Sequence, residues 1–422
     1  MKRKNTKRAV AFVIAAAVIV LAVTSCQIIT TADATGESNV VISKDPIYSQ
    51  EATEGATEGA ATTATEAAAT TAATTEATAA ESAPIQPLYI NPLTKTGAAV
   101  DPSGLRPMAV VVDNGQSALP HQTGLAAADI LCETLTSPGV TRFLALYADY
   151  RAVPEICNVR EARVHDVRIA AGFDAFLVCS GGHADTTEEY DFFSAVRRAY
   201  GSEKGYIDTM EESAWNARNG EKLGTIRFFD NYRTDIRYDT VVTPEAIELT
   251  EKGGSEFKQS GASVRGSASN PFLFGDSVTV GESASSVTLS FTASGVSSNL
   301  EKTVTFVYDD GRGEYLRYEG ARAHVDSQSG EQLAFTNLVV LLTDVKYIAG
   351  DSDADPLTTS VTVYGSGTGY CFEGGKYTEI IWVNTEKSGL KLYTSDSTLS
   401  LLPGSTYVGY LNKANAGSVK MG

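Results

Sequence analysis

The sequence predicts an α+β protein, with a mixed α/β N-terminal domain followed by a mostly antiparallel β C-terminal domain. Three observations predict this. Between residues 84 and 252, short apolar runs alternate with segments of helical spacing. Beyond residue 287 the helical spacing stops, and alternating β-branched and aromatic segments take over. The first 83 residues hold one apolar run and a low-complexity stretch, neither of which builds a core.

Lys2, Arg3, Lys4, Lys7 and Arg8 open the chain, and the fifteen residues from Ala9 to Val23 follow without a charge. A basic start, a short apolar run and small residues at a cut site describe a secretory signal over residues 1–25. The run falls short of the roughly twenty residues that cross a bilayer as a helix. Val23-Thr24-Ser25-Cys26 closes it and resembles the bacterial lipobox, which implies a diacylglycerol on the Cys26 thiol. The competing reading is an ordinary signal with an incidental cysteine, or an uncleaved anchor. Buried acyl methylenes hold a protein at the bilayer by about 0.8 kcal/mol each. The expectation is a protein anchored through Cys26 on the extracytoplasmic face of the cell membrane.

Residues 26–83 read as that lipidated cysteine and a tether. Residues 51–83 are almost entirely Ala, Thr and Glu, with no Leu, Ile, Val, Phe or Tyr. Such a segment buries too little apolar surface to offset the entropy of ordering.

The formal charge is −17. The signal carries five basic residues and no acid, so the rest of the chain stands near −22. Residues 27–87 hold nine acids against one lysine, which leaves the remainder near −14. Phosphate-directed nucleic-acid binding needs a positive footprint, so no nucleic-acid partner is expected. An anionic bilayer surface repels such a body, so attachment falls to the lipid.

Within residues 84–252, Met108 to Asp113 is a buried strand. Asp129 to Leu135 and Thr141 to Tyr147 alternate around Ser137-Pro-Gly139 and predict a hairpin. Glu161 to Ala171 has helical spacing and stops at Gly172. Phe173 to Cys179 is a strand, Thr186 to Tyr200 a helix, Ile226 to Phe229 a strand, and Pro244 to Lys252 a helix capped by Thr243. Residues 253–287 begin Gly/Ser-rich and read as a linker or exposed loop. The C-terminal domain, 288–422, carries strands at 288–292, 302–308, 314–318, 337–342, 360–364 and 378–383, with Asp309-Asp-Gly-Arg-Gly313 as a hairpin turn. Cys132, Cys157, Cys179 and Cys371 show no Cys-x-x-Cys spacing. Cys132 and Cys179 lie in apolar runs and read as buried thiols, with a disulfide among the first three left open.

Asn91-Pro-Leu-Thr94, Arg106 to Asn114, Gly124-Leu125 with Ala128-Asp129-Ile130, Gly139 to Phe143, Asn158 to Arg163 and Cys179-Ser-Gly-Gly182 resemble the YerB-like bacterial lipoproteins. So do His324-Val-Asp326 with Gly330 to Leu333, Asn337 to Val340 and Gly365 to Tyr370. The resemblance spans about residues 90–415. It implies a two-domain body and a lipid anchor, in a family whose domains have no assigned function. One departure is Arg237-Tyr-Asp-Thr240, where the family pattern implies Pro-His-Asn.

The residues most suited to chemistry are Asp113, Asn114, Glu133, Arg142, Arg160, Arg163 and His183. Arg160 and Arg163 are three apart at an expected helix start, where they can share a face. Guanidinium forks read carboxylates and phosphates, and a helix N-terminus favours anions. The expectation is a site for an anionic ligand or an envelope partner. The competing reading is a structural network pairing Arg142 and Arg160 with Glu133 and Asp113. The alternative function is an envelope-acting hydrolase or transferase using the same Arg/Asp/Glu/His cluster.

Ser255-Glu-Phe-Lys258, Ser297-Ser-Asn299 and Lys95-Thr-Gly97 echo penicillin-binding enzymes, but Lys-Thr-Gly comes first when it belongs last. Gly365-x-Gly-x-Gly369 lacks the Lys-Ser/Thr of a phosphate loop and reads as a turn or bulge. No cofactor or metal motif is present in the sequence, and none is expected.

Overall fold

The computed structural model describes residues 88–209, 240–253, 256–278, 281–294, 301–348, 358–415 and 417–422. The signal, Cys26, the tether, the expected strand at 226–229 and Arg237-Tyr-Asp239 lie outside these residues. The described residues form one compact unit.

Strands dominate, and the expected hairpin sits at the centre. β1 (Met108–Asn114) is buried on both faces over Met108 to Val112, which is why its apolar residues run without alternation. Met108 and the three valines each contribute about 1.5–3 kcal/mol of transfer free energy. β2 (Ile130–Ser137) and β3 (Val140–Tyr147) pair antiparallel through a bulge near Ser137, turned by Gly139 at φ 71°. β3 then pairs antiparallel with β1. β1 is flanked in parallel by β4 (Phe176–Cys179), and β4 by β5 (Ile207–Asp208).

Three helices have clear starts and stops. In α1 (Val164–Gly172) the Asp166 carboxylate accepts the Arg163 backbone N–H at 2.7 Å, while Val167, Ile169 and Ala170 face the core. α2 (Phe192–Tyr200) begins later than the spacing suggests, because Asp191 caps Ser194 N at 2.8 Å. It ends at Gly201 in the left-handed region. α3 (Pro244–Lys252) has Thr243 accepting from Ala246 N at 3.2 Å, as its sequence predicts.

The C-terminal strands are β6 (Ser286–Phe291), β7 (Lys302–Asp309), β8 (Glu314–Glu319), β9 (Asn337–Thr343), β10 (Gly365–Glu373), β11 (Lys376–Thr385), β12 (Gly389–Tyr393), β13 (Thr406–Asn412) and β14 (Val419–Met421). β13 lies parallel to both β9 and β2, with Val408 opposite Val339 and Cys132. One eleven-stranded sheet therefore runs from β11 and β10 through β9, β13, β2, β3 and β1 to β4 and β5. Strands from before residue 252 and after residue 287 share it. β6, β7, β8 and β14 belong to a six-stranded sheet, whose Phe306 packs on Tyr407 of the large sheet at 4.7 Å between rings.

Residues 253–287 carry more structure than their Gly/Ser content implies: Phe257, Val264, Phe272 and Ala284 are buried. The glycines at 365–369 lie inside β10, not in a turn. A Cβ on Gly369 would collide with the Val340 carbonyl oxygen, and one on Gly367 would meet the Trp382 indole at 2.8 Å. That close approach, not a turn, requires glycine there. Cys132, Cys157, Cys179 and Cys371 are free and buried. No helix among the described residues is long and apolar enough to cross a membrane.

Candidate functional site

The ends of β1, β2 and β3 decide where the predicted residues go. Asp113 stands opposite Arg142, and Asn114 opposite Thr141. Successive strand residues point to opposite faces, so the neighbours Asp113 and Asn114 enter different environments. The seven expected residues therefore divide between two clusters.

The inner cluster is buried. Thr141 Oγ1 and Asn114 Nδ2 donate to Glu133 Oε1 at 2.6 and 2.9 Å. Glu133 Oε2 accepts from Arg317 Nη2 at 2.9 Å and from Tyr407 Oη at 2.8 Å. Arg317 Nη1 donates to Glu319 Oε1 at 2.8 Å and to His324 Nδ1. Lys302 Nζ reaches Glu319 Oε2 at 2.7 Å. Two carboxylates thus meet two cations. Burial opposes the Arg317 charge, but Glu133 and Glu319 hold the guanidinium firmly protonated. Burial, then Arg317 and Lys302, push His324 well below its usual value, so it is neutral. With Nδ1 accepting, its Nε2–H donates to Gln122 Oε1 at 2.5 Å. The Gln122 amide in turn donates to the Asp113 carbonyl at 2.6 Å.

The outer cluster surrounds the start of α1. Arg160 Nε donates to Asp113 Oδ2 at 2.9 Å. Arg142 Nη1 donates to the Glu161 carbonyl at 2.6 Å, and its Nη2 lies 3.5 Å from the Glu161 carboxylate. Arg163 Nη1 pairs with that carboxylate at 2.6 Å, and its Nε donates to Thr358 Oγ1 at 2.9 Å. Arg160 and Arg163 do not share a helix face, because the helix starts only at Val164. The residues before it pair as an extended segment, with Arg160 N donating to the Val111 carbonyl and Ala162 N to Gly181. Of the expected pairs, Asp113–Arg160 forms, whereas Glu133 takes Arg317 and Arg142 takes Glu161. His183 is half-buried, with Nε2 4.0 Å from Asp185.

A small cavity of about 20 Å³ opens at this helix start, lined by Arg163, His165, Arg168, His183, Glu189 and Thr358 among others. His165 is 2% exposed, and its Nε2 has no hydrogen-bond partner. Burial, opposed by Asp166 but assisted by Arg163, Arg142 and Arg168, brings its pKa down to about 4. Arg168 also lies over the Tyr364 ring at 5.7 Å. Three cationic or protonatable side chains and an unsatisfied imidazole therefore converge on the N-terminal turn of α1. A far larger hollow of about 830 Å³ beside β10 and β11 is lined by Tyr370, Glu379, Asp396 and several hydroxyls, with no cation. Its two carboxylates, Glu379 and Asp396, disfavour an anion.

The comparisons with known proteins fit this framework. A family described as proteins of unknown function, DUF3048, matches through its N-terminal domain over residues 95–217 and its C-terminal domain over 295–408. The chain belongs to this family. A Bacillus subtilis (strain 168) protein, YerB, carries the name of a candidate lipoprotein. It is 25% identical over 322 residues, which cover 75% of this chain and 84% of that one. The crystal structure of YerB from Bacillus subtilis matches with a TM-score of 0.61 at 21% identity, over 79% of this chain and 99% of that chain. That likeness establishes the shared fold.

Several motifs of the DUF3048 resemblance meet in space. Asn91 turns its own segment by accepting from Leu93 N and donates to Asp129 at 2.8 Å, joining the first motif to the third. His324 enters the inner network, and Asp326 accepts from Ala126 N at 3.2 Å. Sequence reasoning missed Lys302, Arg317, Glu319, His165 and Arg168. The buried positions of β8 are Tyr315, Arg317 and Glu319. With Tyr315 placed inward, the two-residue period would have put Arg317 and Glu319 inside as well.

Proposed function

We propose that this chain is an envelope lipoprotein, anchored through Cys26, that binds an anionic group of an envelope ligand or partner at the N-terminal turn of α1. The supporting observation is His165 Nε2, which makes no hydrogen bond and lies 4.0 Å from Asp166 Oδ1, beside Arg163, Arg168 and His183. Backbone N–H groups at a helix start and guanidinium donors stabilise negative charge together. A cavity of about 20 Å³ takes one water-sized atom, so the bound part is a single carboxylate or phosphoryl oxygen and the remainder of the ligand lies outside. The N-terminal α/β and C-terminal β halves, bounded near residues 252 and 288, act in this reading as one body on the tether. The alternative of an envelope-acting enzyme would need Asp113 and Glu133 beside His183. Asp113 is engaged by Arg160, and Glu133 is buried against Arg317.

The binding test is titration of inorganic phosphate and of acetate into the full chain, followed by the imidazole resonances of His165 and His183. An arriving anion favours the imidazolium, so the His165 pKa should rise from about 4. Arg168→Gln should weaken binding about tenfold, the loss of one charge-assisted hydrogen bond. Imidazole resonances unmoved by both anions would sink the proposal.

The anchor has its own test. Cys26→Ser should move the chain from the membrane fraction to the soluble extracytoplasmic fraction, since a thiol is required for acylation. Retention of the variant in the membrane fraction would contradict it.

A further inference from the structure

A second cavity, of about 150 Å³, shares no lining residue with the one at α1. Its walls are small and apolar: Ala98, Val100, Pro102, Ala127, Ala148 and Ala152. Its polar lining includes Asn91, Asp129 and Asp149. Asp129 is half-buried and lines the cavity. Oδ1 accepts from Asn91 Nδ2 at 2.8 Å and Oδ2 from Ala148 N at 2.7 Å. Each carboxylate oxygen has room for a second donor.

No cation among the described residues pairs with Asp129. The nearby Arg151 is engaged twice by Asp149, at 2.8 and 2.6 Å, and by the Asp101 carbonyl at 2.6 Å. Burial pushes the Asp129 carboxyl up to about 6, against its two hydrogen bonds, and Asp149 adds to the rise. An apolar pocket with one convergent charged group is the usual form of a small-ligand site. A neighbouring hollow of about 420 Å³ also touches Pro102 and extends the apolar wall along Leu88, Ile90 and Leu105.

We infer that the Asp129 cavity binds a primary ammonium carried on a short aliphatic chain, the chemistry of a lysine-type side chain. The ammonium supplies the donors that both Asp129 oxygens can still accept, and the methylenes lie against the alanine walls. A cavity of about 150 Å³ holds roughly six heavy atoms, the size of benzene. This site is independent of the anion site at α1, and neither depends on the other being correct.

The probe is pentylammonium, with 1-pentanol as the uncharged isostere, titrated into the full chain in nonionic detergent with labelled alanine methyls. Pentylammonium should shift the methyls of Ala98, Ala127, Ala148 and Ala152 saturably, and bind about tenfold tighter than 1-pentanol. Asp129→Asn would set an amide donor against Asn91 or Ala148, so it risks unsettling the turn. Ala152→Leu fills the cavity from an exposed wall position, leaves the core alone, and should abolish the shifts at unchanged melting temperature. Three outcomes overturn the inference: no saturable shift, equal affinity for 1-pentanol, or undiminished binding in Ala152→Leu.

Discussion

Arg317→Met should cost about 3–5 kcal/mol of folding stability, read as a fall in the urea midpoint at unchanged slope. The side chain is fully buried and holds Glu133 and Glu319 at 2.9 and 2.8 Å. Methionine fills much of the volume and leaves those carboxylates without their guanidinium. Lys302 still reaches Glu319, but Glu133 keeps only the neutral donors Thr141, Asn114 and Tyr407. Arg317 also lies over the Phe143 ring at 5.1 Å, a contact that methionine replaces only in part. The matched control is Arg312→Met, which removes an exposed pair with Glu314 and should cost under about 1 kcal/mol. If both variants lost the same amount, the inner network would not be holding the body together.

The network also accounts for the joining of two sequence regions in one sheet. Glu133 and Asn114 come from β2 and β1. Arg317, Lys302 and His324 come from chain beyond residue 300, and Tyr407 from the strand inserted beside β2. Buried ion pairs add little net stability over an apolar replacement, because desolvation offsets their attraction. They do penalise any arrangement that separates the partners. The network therefore specifies which strand lies beside β2, while the apolar residues of β1, β2 and β13 supply the bulk of the stability.

Much of the fold is legible in the sequence. The strand at Met108, the hairpin around Gly139, the Thr243-capped helix and most C-terminal strands follow from local period and turn chemistry, and these are local signals. The missing part is nonlocal. Nothing in the Thr406–Asn412 segment announces that it lies parallel to Ile130, because parallel pairing is set by distant contacts. The candidate site shows the same division. Asp113, Arg142, Arg160, Arg163 and His183 do come close to the start of α1, and a cluster of arginines in an acidic chain was the visible signal. Asn114 and Glu133 lie on the opposite face of the sheet, a placement set by strand register that the local sequence does not announce. A histidine inside an apolar helix looks like ordinary core in the sequence, and only the fold reveals that His165 Nε2 makes no hydrogen bond.

Stability should fall as the pH is lowered from about 6.5 to about 4, and His165 is the residue to test. Its ordinary value is 6.5, and in the fold it is brought down to about 4. Across that window the unfolded chain binds a proton that the folded chain refuses, so acid favours unfolding. At about 1.36 kcal/mol per unit, the full shift amounts to roughly 3 kcal/mol once the pH reaches 4. His324, held well below its usual value by burial, Arg317 and Lys302, contributes in the same direction. Asp129 opposes them. Its carboxyl, pushed up to about 6 from 3.8, takes a proton in the fold before it does in the unfolded chain, so it gains stability as the pH falls from 6 to 4. Two histidines against one carboxyl leave a net loss. His165→Gln, neutral at every pH, should flatten the profile of urea midpoints between pH 7 and pH 4 by about the His165 share. Phosphate at low pH should restore more of the loss in the native chain than in His165→Gln, which keeps Arg163 and Arg168 but lacks the imidazolium that an anion at α1 pairs with. A native profile with no acid limb, or a variant with the full native slope, would show that His165 is not the buried neutral base the structure places at α1.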